Sequence, residues 1–321
     1  MSDPKASKAV IDWLLDAQTP SIRYLTCRDI LTQAEDHPQR LAHQKDIMQE
    51  GPVPAILAQQ TKSGQWPNEH SYYTPKYFST HWSMMLLAEL WIDPKNEQFQ
   101  RSVDYMLSAT HTSVKNQLDH SSQPALGCLW GNILRYVAHS GQIEDTRAQI
   151  LIEHALYDVS HRHCTCRIND FKACAWGVLR TLWGLSALPH SERTDDFHHA
   201  IDTALAFLLE DFELVKANYP TANDSKIHSG WFKLNFPLFY QADILFALRI
   251  LAELDQLDRP GVDAALDWLE TQQQKNGRWR GRSPYRSRTW RELGTSEETS
   301  RWVTLQAMTI LQRANRTTYI S

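Results

Sequence analysis

Two related stretches indicate the fold of this chain: Gln-Thr-Lys-Ser-Gly-Gln-Trp at residues 60–66 and Gln-Gln-Lys-Asn-Gly-Arg-Trp at residues 273–279. Both fit the pattern Gln-x-x-x-Gly-x-Trp, and each lies where a helical pattern ends and a polar loop begins. A Gln near a helix end can offer its amide to the indole and backbone of a Trp just past a Gly turn, which ties the helix end to the loop. Two copies in the same helical context predict a repeated structural unit.

Helical periodicity dominates the rest of the sequence, and no alternating pattern predicts a strand. Apolar segments at residues 83–90, 177–185 and 245–254 each follow a more polar amphipathic segment, with a spacing of roughly 45 residues that is typical of helical-pair repeats. The amphipathic segments are residues 102–107, 148–157, 200–209 and 262–272. We therefore predict an all-α fold of five to six helical hairpins.

The hairpins divide the chain into an N-terminal part and a repeat region. Residues 5–17 and 21–34 form a predicted helical pair, with Pro20-Ser21 at the start of its second helix. We assign residues 1–50 to this pair and its linker, and residues 51–321 to the repeats. The predicted long loops are residues 68–79, 111–127, 216–237 and 280–298. An open solenoid and a closed ring both fit the hairpins, but long loops in compact domains are usually functional, and in a ring they would gather at one end.

Composition argues against several classes of protein. The chain of 321 residues has a net charge of −4 and a pI of about 6.4, so no basic field favours nucleic acid or an anionic membrane. The first residues lack an apolar signal segment, and the apolar stretch at residues 82–91 is too short to span a bilayer. Five cysteines favour reduced thiols or metal ligands over disulfides. We expect a cytoplasmic protein without a transmembrane segment.

These patterns resemble the terpenoid cyclase and protein prenyltransferase superfamily of α/α toroids. Besides the two Gln-x-x-x-Gly-x-Trp stretches, the likeness is carried by residues 77–82, 127–132, 236–243 and 300–305. The closer similarity is to squalene-cyclase-like bacterial proteins without an assigned reaction, and it covers the chain from about residue 51 onward. The resemblance implies an α/α toroid, but toroids host several chemistries. Prenyltransferase toroids work beside a helical partner subunit, and no feature of this sequence indicates such a partner.

Two acidic motifs of that superfamily are missing. Class II cyclases protonate an isoprenoid with Asp-x-Asp-Asp, which does not occur here. Class I synthases bind diphosphate through Mg²⁺ on Asp-Asp-x-x-Asp, whereas the adjacent aspartates Asp195 and Asp196 are followed by Phe-His-His. The sequence therefore argues against standard squalene cyclisation.

A cluster of cysteines predicts a zinc site. Cys128 and Cys174 begin successive inner helices at equivalent positions, so in a toroid they should lie side by side. Between them, residues 163–166 (His-Cys-Thr-Cys) stand where a third Gln-x-x-x-Gly-x-Trp is expected. Thiolates and imidazoles suit tetrahedral Zn²⁺, and helix N-termini lower thiol pKa values. We predict a site made by Cys128, Cys166 and Cys174, with His163 or Cys164 completing it; buried structural thiols or a reactive Cys are the alternatives.

Protein prenyltransferases, which the chain resembles, also draw zinc ligands from successive inner-helix starts. The resemblance therefore implies the same location for a metal at one rim of the toroid, although the ligand set here is richer in sulfur.

Three residues are candidates for proton transfer. Asp243 lies one turn after Phe239 in a predicted apolar helix at residues 239–254, and a carboxyl facing a desolvated cavity would have a raised pKa. Tyr240 and His81 occupy the starts of inner helices. The alternatives are a helix-N-terminal Asp satisfied by local amides and the helix dipole, and a buried hydrogen-bonded His81.

Four tryptophans recur at comparable positions after the loops: Trp82, Trp130, Trp176 and Trp302. Packing between inner helices explains them most simply. Together with Asn132 they are also the candidates for lining a central apolar pocket, and the two interpretations are compatible.

Arginines and aromatic residues alternate in the last long loop. Arg280, Arg282 and Arg286 are candidates for clamping a diphosphate or carboxylate. The alternative is a solvated face whose arginines pair with nearby acids, namely Glu292, Glu297 and Glu298.

Two hypotheses for function follow. The first is an enzyme that takes an isoprenoid-like or other hydrophobic small molecule into a central cavity, with Zn²⁺ at the loop rim. The second is a non-catalytic toroid that binds a lipid or a protein and whose cysteines are a structural metal site or buried thiols.

Overall fold

The computed structural model describes residues 4–67, 70–119 and 126–317, and within them the chain is helical without any named strand. The helices are α1 (Pro4–Leu15), α2 (Pro20–Leu25), α3 (Pro38–Gln49), α4 (Pro52–Leu57), α5 (Thr80–Glu89), α6 (Glu97–Asp119), α7 (Gly127–His139), α8 (Thr146–Arg162), α9 (Ala175–Ser186), α10 (Asp195–Leu205), α11 (Ile244–Glu253), α12 (Asp263–Thr271) and α13 (Ser296–Arg313). Short π-helical segments, Thr26–Ile30 and Ala206–Asp211, extend α2 and α10. The all-α prediction is confirmed.

The helices form two sets that alternate along the chain. We call α5, α7, α9, α11 and α13 the inner helices, because each packs against the next in that order. The outer helices α4, α6, α8, α10 and α12 each precede one of them, and α6, α8 and α10 pack side by side. At the end of the series α13 contacts α2, whose Ser21 hydroxyl donates to the Leu90 carbonyl just after α5 (2.5 Å). Every long loop after α4 therefore joins the end of an outer helix to the start of an inner one.

Glycines bring α7 and α9 into backbone contact. A Cβ on Gly131 would lie 2.3 Å from the carbonyl oxygen of Arg180, and one on Gly184 would lie 2.5 Å from the carbonyl oxygen of Gly131. Any side chain at either position would push the two helices apart. This contact fixes the spacing of the two helix starts, at Gly127 and Ala175, that border the candidate site.

The two Gln-x-x-x-Gly-x-Trp stretches are braces with the same geometry. The Trp66 indole donates to the carbonyl of Ile56 (2.7 Å), and the Trp279 indole donates to the carbonyl of Leu269 (2.8 Å). Each carbonyl belongs to the last turn of an outer helix, where carbonyls lack partners within the helix. The predicted tie between helix end and loop is present, and the indole makes it in both copies. The Gln273 side-chain amide also donates to the carbonyl of Gly277 in the turn (3.0 Å), whereas that of Gln60 donates to Gln98 and Ser102 (2.9 and 2.6 Å).

Several predicted boundaries differ from the structure. Residues 111–119 continue α6 instead of forming a loop, and α3 replaces part of the predicted linker. The predicted helix at residues 21–34 leaves α geometry after Leu25, and the one at residues 239–254 begins only at Ile244. That start is late because residues 235–243 are held in an irregular conformation by buried polar side chains. The predicted loop residues 68, 69 and 120–125 lie outside the described residues.

No helix within residues 4–67, 70–119 or 126–317 has the length and apolar character needed to cross a bilayer. This agrees with the absence of a long apolar run in the sequence.

A conservative substitution tests the braces. We expect Trp66→Phe and Trp279→Phe each to lower the free energy of unfolding by about 1–2 kcal/mol more than Trp302→Phe does, measured by urea unfolding. The control removes the same ring atoms from a buried Trp whose indole nitrogen has no partner among the described residues. Equal losses in all three variants would show that the indole hydrogen bonds contribute nothing.

Candidate functional site

The long loops lead into the amino-terminal ends of the inner helices, and we call this end of the molecule the loop end. It contains an apolar cavity of about 620 Å³, which we call the thiol cavity. This volume is in the range of small-molecule sites. The lining comes from the loop before α5, the starts of α7 and α9, the loop between α8 and α9, and the segment before α11. It includes Tyr72, Tyr73, Lys76, Leu129, Trp176 and Tyr240 together with three cysteines.

Cys128, Cys166 and Cys174 all line this cavity, and all three are partly exposed. Backbone pairing explains how a loop brings them together: the Cys166 amide donates to Lys172 (3.2 Å), and the Cys174 amide donates to His163 (3.0 Å). Burial and the neighbouring thiols raise the pKa of Cys128 to about 12, and burial raises that of Cys174 to about 11. Backbone amides at the starts of α7 and α9 lower the pKa values of these two thiols, as expected at helix N-termini, but burial outweighs them.

His163 and Cys164 point away from the cavity. The imidazole of His163 stacks on Phe207, with ring centroids 4.8 Å apart. Cys164 is fully buried, and a Cβ on Gly127 or Gly177 would come within 3 Å of its side chain. Cys164 is thus a packing residue between the starts of α7 and α9, where the sequence suggested a ligand.

These placements bear on the predicted zinc site. In the described part of the chain, no three His, Cys, Asp or Glu side chains are arranged so that they could hold one metal ion. The predicted five-residue set divides into three thiols at the cavity and two residues elsewhere. The predicted zinc site stays a prediction, and no chemical step is assigned to a metal.

Tyr240 reaches the thiol cavity from the irregular segment 235–243, which three buried polar side chains hold. Asn132 on α7 donates to the carbonyl of Phe239 (3.1 Å), and Arg180 on α9 donates through Nε to the carbonyl of Gln241 (3.0 Å). Asp243 accepts from the backbone and side-chain amides of Asn235 (3.0 and 2.8 Å). All three are essentially inaccessible to solvent. The backbone before α11 is thus held by side chains of α7 and α9 and by the N-cap residue of α11.

Asp243 is the N-cap of α11, where it also accepts from the amide of Phe246 (2.8 Å). Burial raises the pKa of Asp243 to about 7, although these donors and Arg180 favour the ionised form. The carboxyl therefore has the local amide partners of the alternative interpretation and does not line the thiol cavity.

His81 is also enclosed: its ring stacks on Tyr73 and meets Trp82 edge to face, and its Nδ1 lies 3.5 Å from the Tyr136 hydroxyl. Burial lowers the pKa of His81 to about 3, so the imidazole is neutral at physiological pH. Tyr240 alone, of the three candidates for proton transfer, lines the cavity.

Aromatic side chains fill the space beneath segment 235–243. Phe239 is fully buried against Tyr77, Trp82 and Tyr285, with ring centroids 4.9–5.5 Å apart. Burial and the nearby Tyr240 hydroxyl raise the pKa of Tyr77 to about 12. The space between the inner helices around Phe239 is thus filled by side chains, and the thiol cavity lies nearer the loops.

The other predicted pocket residues separate accordingly. Trp176 lines the thiol cavity, whereas Trp130 is buried and donates to Gln117 (2.7 Å). Trp302 stacks on Phe236 (4.4 Å) and borders a smaller cavity near the carboxyl ends of the inner helices. Of the four recurring tryptophans, Trp82, Trp130 and Trp302 therefore pack between helices, and Trp176 lines the thiol cavity.

The predicted anion-binding arginines lie in a second cleft of the loop end. Arg282 and Arg286 line a space of about 480 Å³ together with His228, Lys233 and Gln241, and we call this the arginine cleft. Arg280 lines an adjoining depression. Glu297 and Glu298, the expected acidic partners, pair instead with Arg301 (3.4 and 3.0 Å). Within the described residues, Arg280, Arg282 and Arg286 make no ion pair.

Lys76, Tyr73 and Arg180 are site residues that the sequence patterns did not indicate. Lys76 lies over the rings of Tyr73 and Tyr240 (5.7 and 5.4 Å), but nothing in its sequence context distinguishes it from a surface lysine. The one signal for Arg180 is a charge inside the apolar segment 177–185.

Comparison with protein-family models, with curated proteins and with solved structures found no match to this chain. The resemblance to α/α toroids therefore rests on the residues that carry it.

The raised pKa of Asp243 predicts a pH dependence of stability. The carboxyl keeps its proton up to about pH 7 when folded, but only to its ordinary value of 3.8 when unfolded. Between these values the folded state binds more protons, so the free energy of unfolding falls as pH rises, by up to about 1.4 kcal/mol per pH unit. We expect the stability advantage of the wild type over Asp243→Asn, measured by urea unfolding, to shrink from about pH 4 to about pH 7. A constant or growing advantage would contradict this.

Proposed function

We propose that the chain forms a closed α/α ring of helical hairpins that binds a hydrophobic, isoprenoid-like small molecule in the thiol cavity. The closed ring is supported by the series of inner-helix contacts, in which α13 meets α2 and α2 is tied to the end of α5. The binding proposal is carried by one observation: the apolar cavity of about 620 Å³ at the loop end. Binding there, rather than in a central cavity, follows from the packing around Phe239.

The lining supports recognition of an apolar, flat or branched molecule. Trp176, Tyr72 and Tyr73 offer aromatic faces, and Leu129 adds an aliphatic wall. The indole nitrogen of Trp176 is itself buried and has no hydrogen-bond partner among the described residues, so the ring offers the cavity its apolar surface. The Tyr240 hydroxyl and the Lys76 ammonium are the groups that could orient a polar substituent.

An enzymatic role is supported by Tyr240, which is the candidate for proton transfer inside the cavity. Asp243 and His81 are enclosed and are not assigned to chemistry. A non-catalytic toroid that binds a lipid is the second candidate, and it is favoured by the raised pKa values of Cys128 and Cys174, which make them poor nucleophiles. Conversion of a bound molecule would decide for the enzyme. A cytoplasmic location stays an untested prediction.

A single aromatic substitution tests the cavity. We expect phenylnaphthylamine, a neutral apolar fluorophore, to bind the wild type, and Trp176→Ala to weaken its affinity about tenfold through loss of ring contact. The control is Trp268→Ala, which removes a half-buried Trp from α12. Equal affinity in the wild type and Trp176→Ala, or an equal loss in both variants, would contradict binding in the thiol cavity.

A zinc ion at Cys128, Cys166 and Cys174 is a separate proposal, supported by the shared cavity of these thiols. Binding would require the side chains to draw together, since no three donors already form a ligand group among the described residues. We expect reduced, chelator-free protein to contain about one equivalent of zinc by elemental analysis, and Cys174→Ser but not Cys27→Ser to lose it. Metal-free wild-type protein would contradict the proposal.

A further inference from the structure

Four cavities of the loop end adjoin in series, because each shares at least one lining residue with the next, and we call this series the groove. The thiol cavity shares Asn169, Cys174 and Trp176 with the cavity beside it. That cavity shares His228 with the arginine cleft, which in turn shares Arg282 with the depression around Arg280. The groove therefore leads from an apolar, thiol-lined end to a basic end.

The backbone at the basic end pairs with the same stretch of chain that brings Tyr240 to the thiol cavity. The amide of Arg282 donates to the Leu234 carbonyl (2.8 Å), and the Arg282 carbonyl accepts from the amide of Phe236 (2.9 Å). The Arg286 guanidinium is anchored by donating to the Thr299 hydroxyl (3.0 Å). These arginines are thus fixed relative to the thiol cavity, because Tyr240 and Gln241 of the same segment line the two spaces.

The charges at this end lack local compensation. Glu297 borders the outermost depression, but its carboxylate pairs with Arg301 and accepts from the Trp13 indole (2.9 Å). Lys233, Arg282 and Arg286 make no ion pair within the residues that the structure describes. Guanidinium groups bind carboxylate and phosphate oxygens through paired, charge-assisted hydrogen bonds.

We propose that the ligand is an elongated amphiphile that lies along this groove on the loop end. Its apolar chain occupies the thiol cavity, and its anionic head group, a carboxylate or a phosphate, binds Arg282 and Arg286. This inference rests on the proposed function, because it names the class of molecule that the thiol cavity takes.

Matched ligands test the proposal by displacement of phenylnaphthylamine. We use octyl, dodecyl and hexadecyl chains, each as the alcohol, the carboxylate and the phosphate, below their micellar concentrations. We expect the anions to bind about tenfold more tightly than the alcohol of equal length, and only in chains long enough to reach from the thiol cavity to the arginine cleft. The carboxylate and phosphate series distinguish the two head groups.

Variants locate the head group. In Arg282→Gln and Arg286→Gln we expect the affinity of the anions to fall to about that of the alcohol of equal length, while the affinity of the alcohol is unchanged. The control is Arg259→Gln on the outer surface, where Arg259 pairs with Asp202. Equal affinities of alcohol and anion in the wild type, or an anion advantage that survives both variants, would overturn the amphiphile proposal and leave the apolar site intact. Failure of every chain and of the fluorophore to bind would overturn the apolar site as well.

Discussion

The architecture of the loop end depends on the buried hydrogen bonds that hold residues 235–243. A backbone segment without regular structure leaves amides and carbonyls unpaired, and burying such groups costs about 1–3 kcal/mol each. Asn132 on α7, Arg180 on α9 and Asp243 at the N-cap of α11 supply these partners. Arg180 has no carboxylate partner within the described residues, and burial lowers its pKa to about 10. Such a residue is retained at a cost in desolvation, which is offset by the conformation it holds.

Holding this segment has consequences in two directions. Beneath it, Phe239 is placed among Tyr77, Trp82 and Tyr285, and the space between the helices is filled. Above it, the chain leaves Tyr240 at the thiol cavity and Gln241 at the arginine cleft. The apolar and basic parts of the groove are therefore two sides of one constrained stretch of backbone. The backbone contact of α7 with α9 also shapes the thiol cavity, because it positions the helix starts that carry Cys128 and Cys174.

Periodicity was enough to predict the helical hairpins, because the inner helices α5, α9 and α11 are largely apolar and the outer helices α6, α8, α10 and α12 carry an apolar stripe. It could not reveal α3, in which Ile47 is the one buried residue. Nor could it place the start of α11, where the Asp243 carboxylate overrides an apolar run. Cys128 and Cys174 at the cavity were predictable from their equivalent positions, and Cys166 from its place where a third Gln-x-x-x-Gly-x-Trp was expected. Cys164 is buried and His163 points away from the thiol cavity because both residues have left-handed backbone conformations. The residue types His and Cys do not predict this conformation.

Thiol alkylation followed by mass spectrometry is the most direct test of the central claim that an apolar molecule occupies the thiol cavity. Cys128, Cys166 and Cys174 are partly exposed there, whereas Cys27 is buried elsewhere. The account predicts that saturating phenylnaphthylamine slows alkylation of all three cavity thiols together and leaves Cys27 unchanged. Unaltered alkylation of the three thiols, with the fluorophore demonstrably bound, would contradict it.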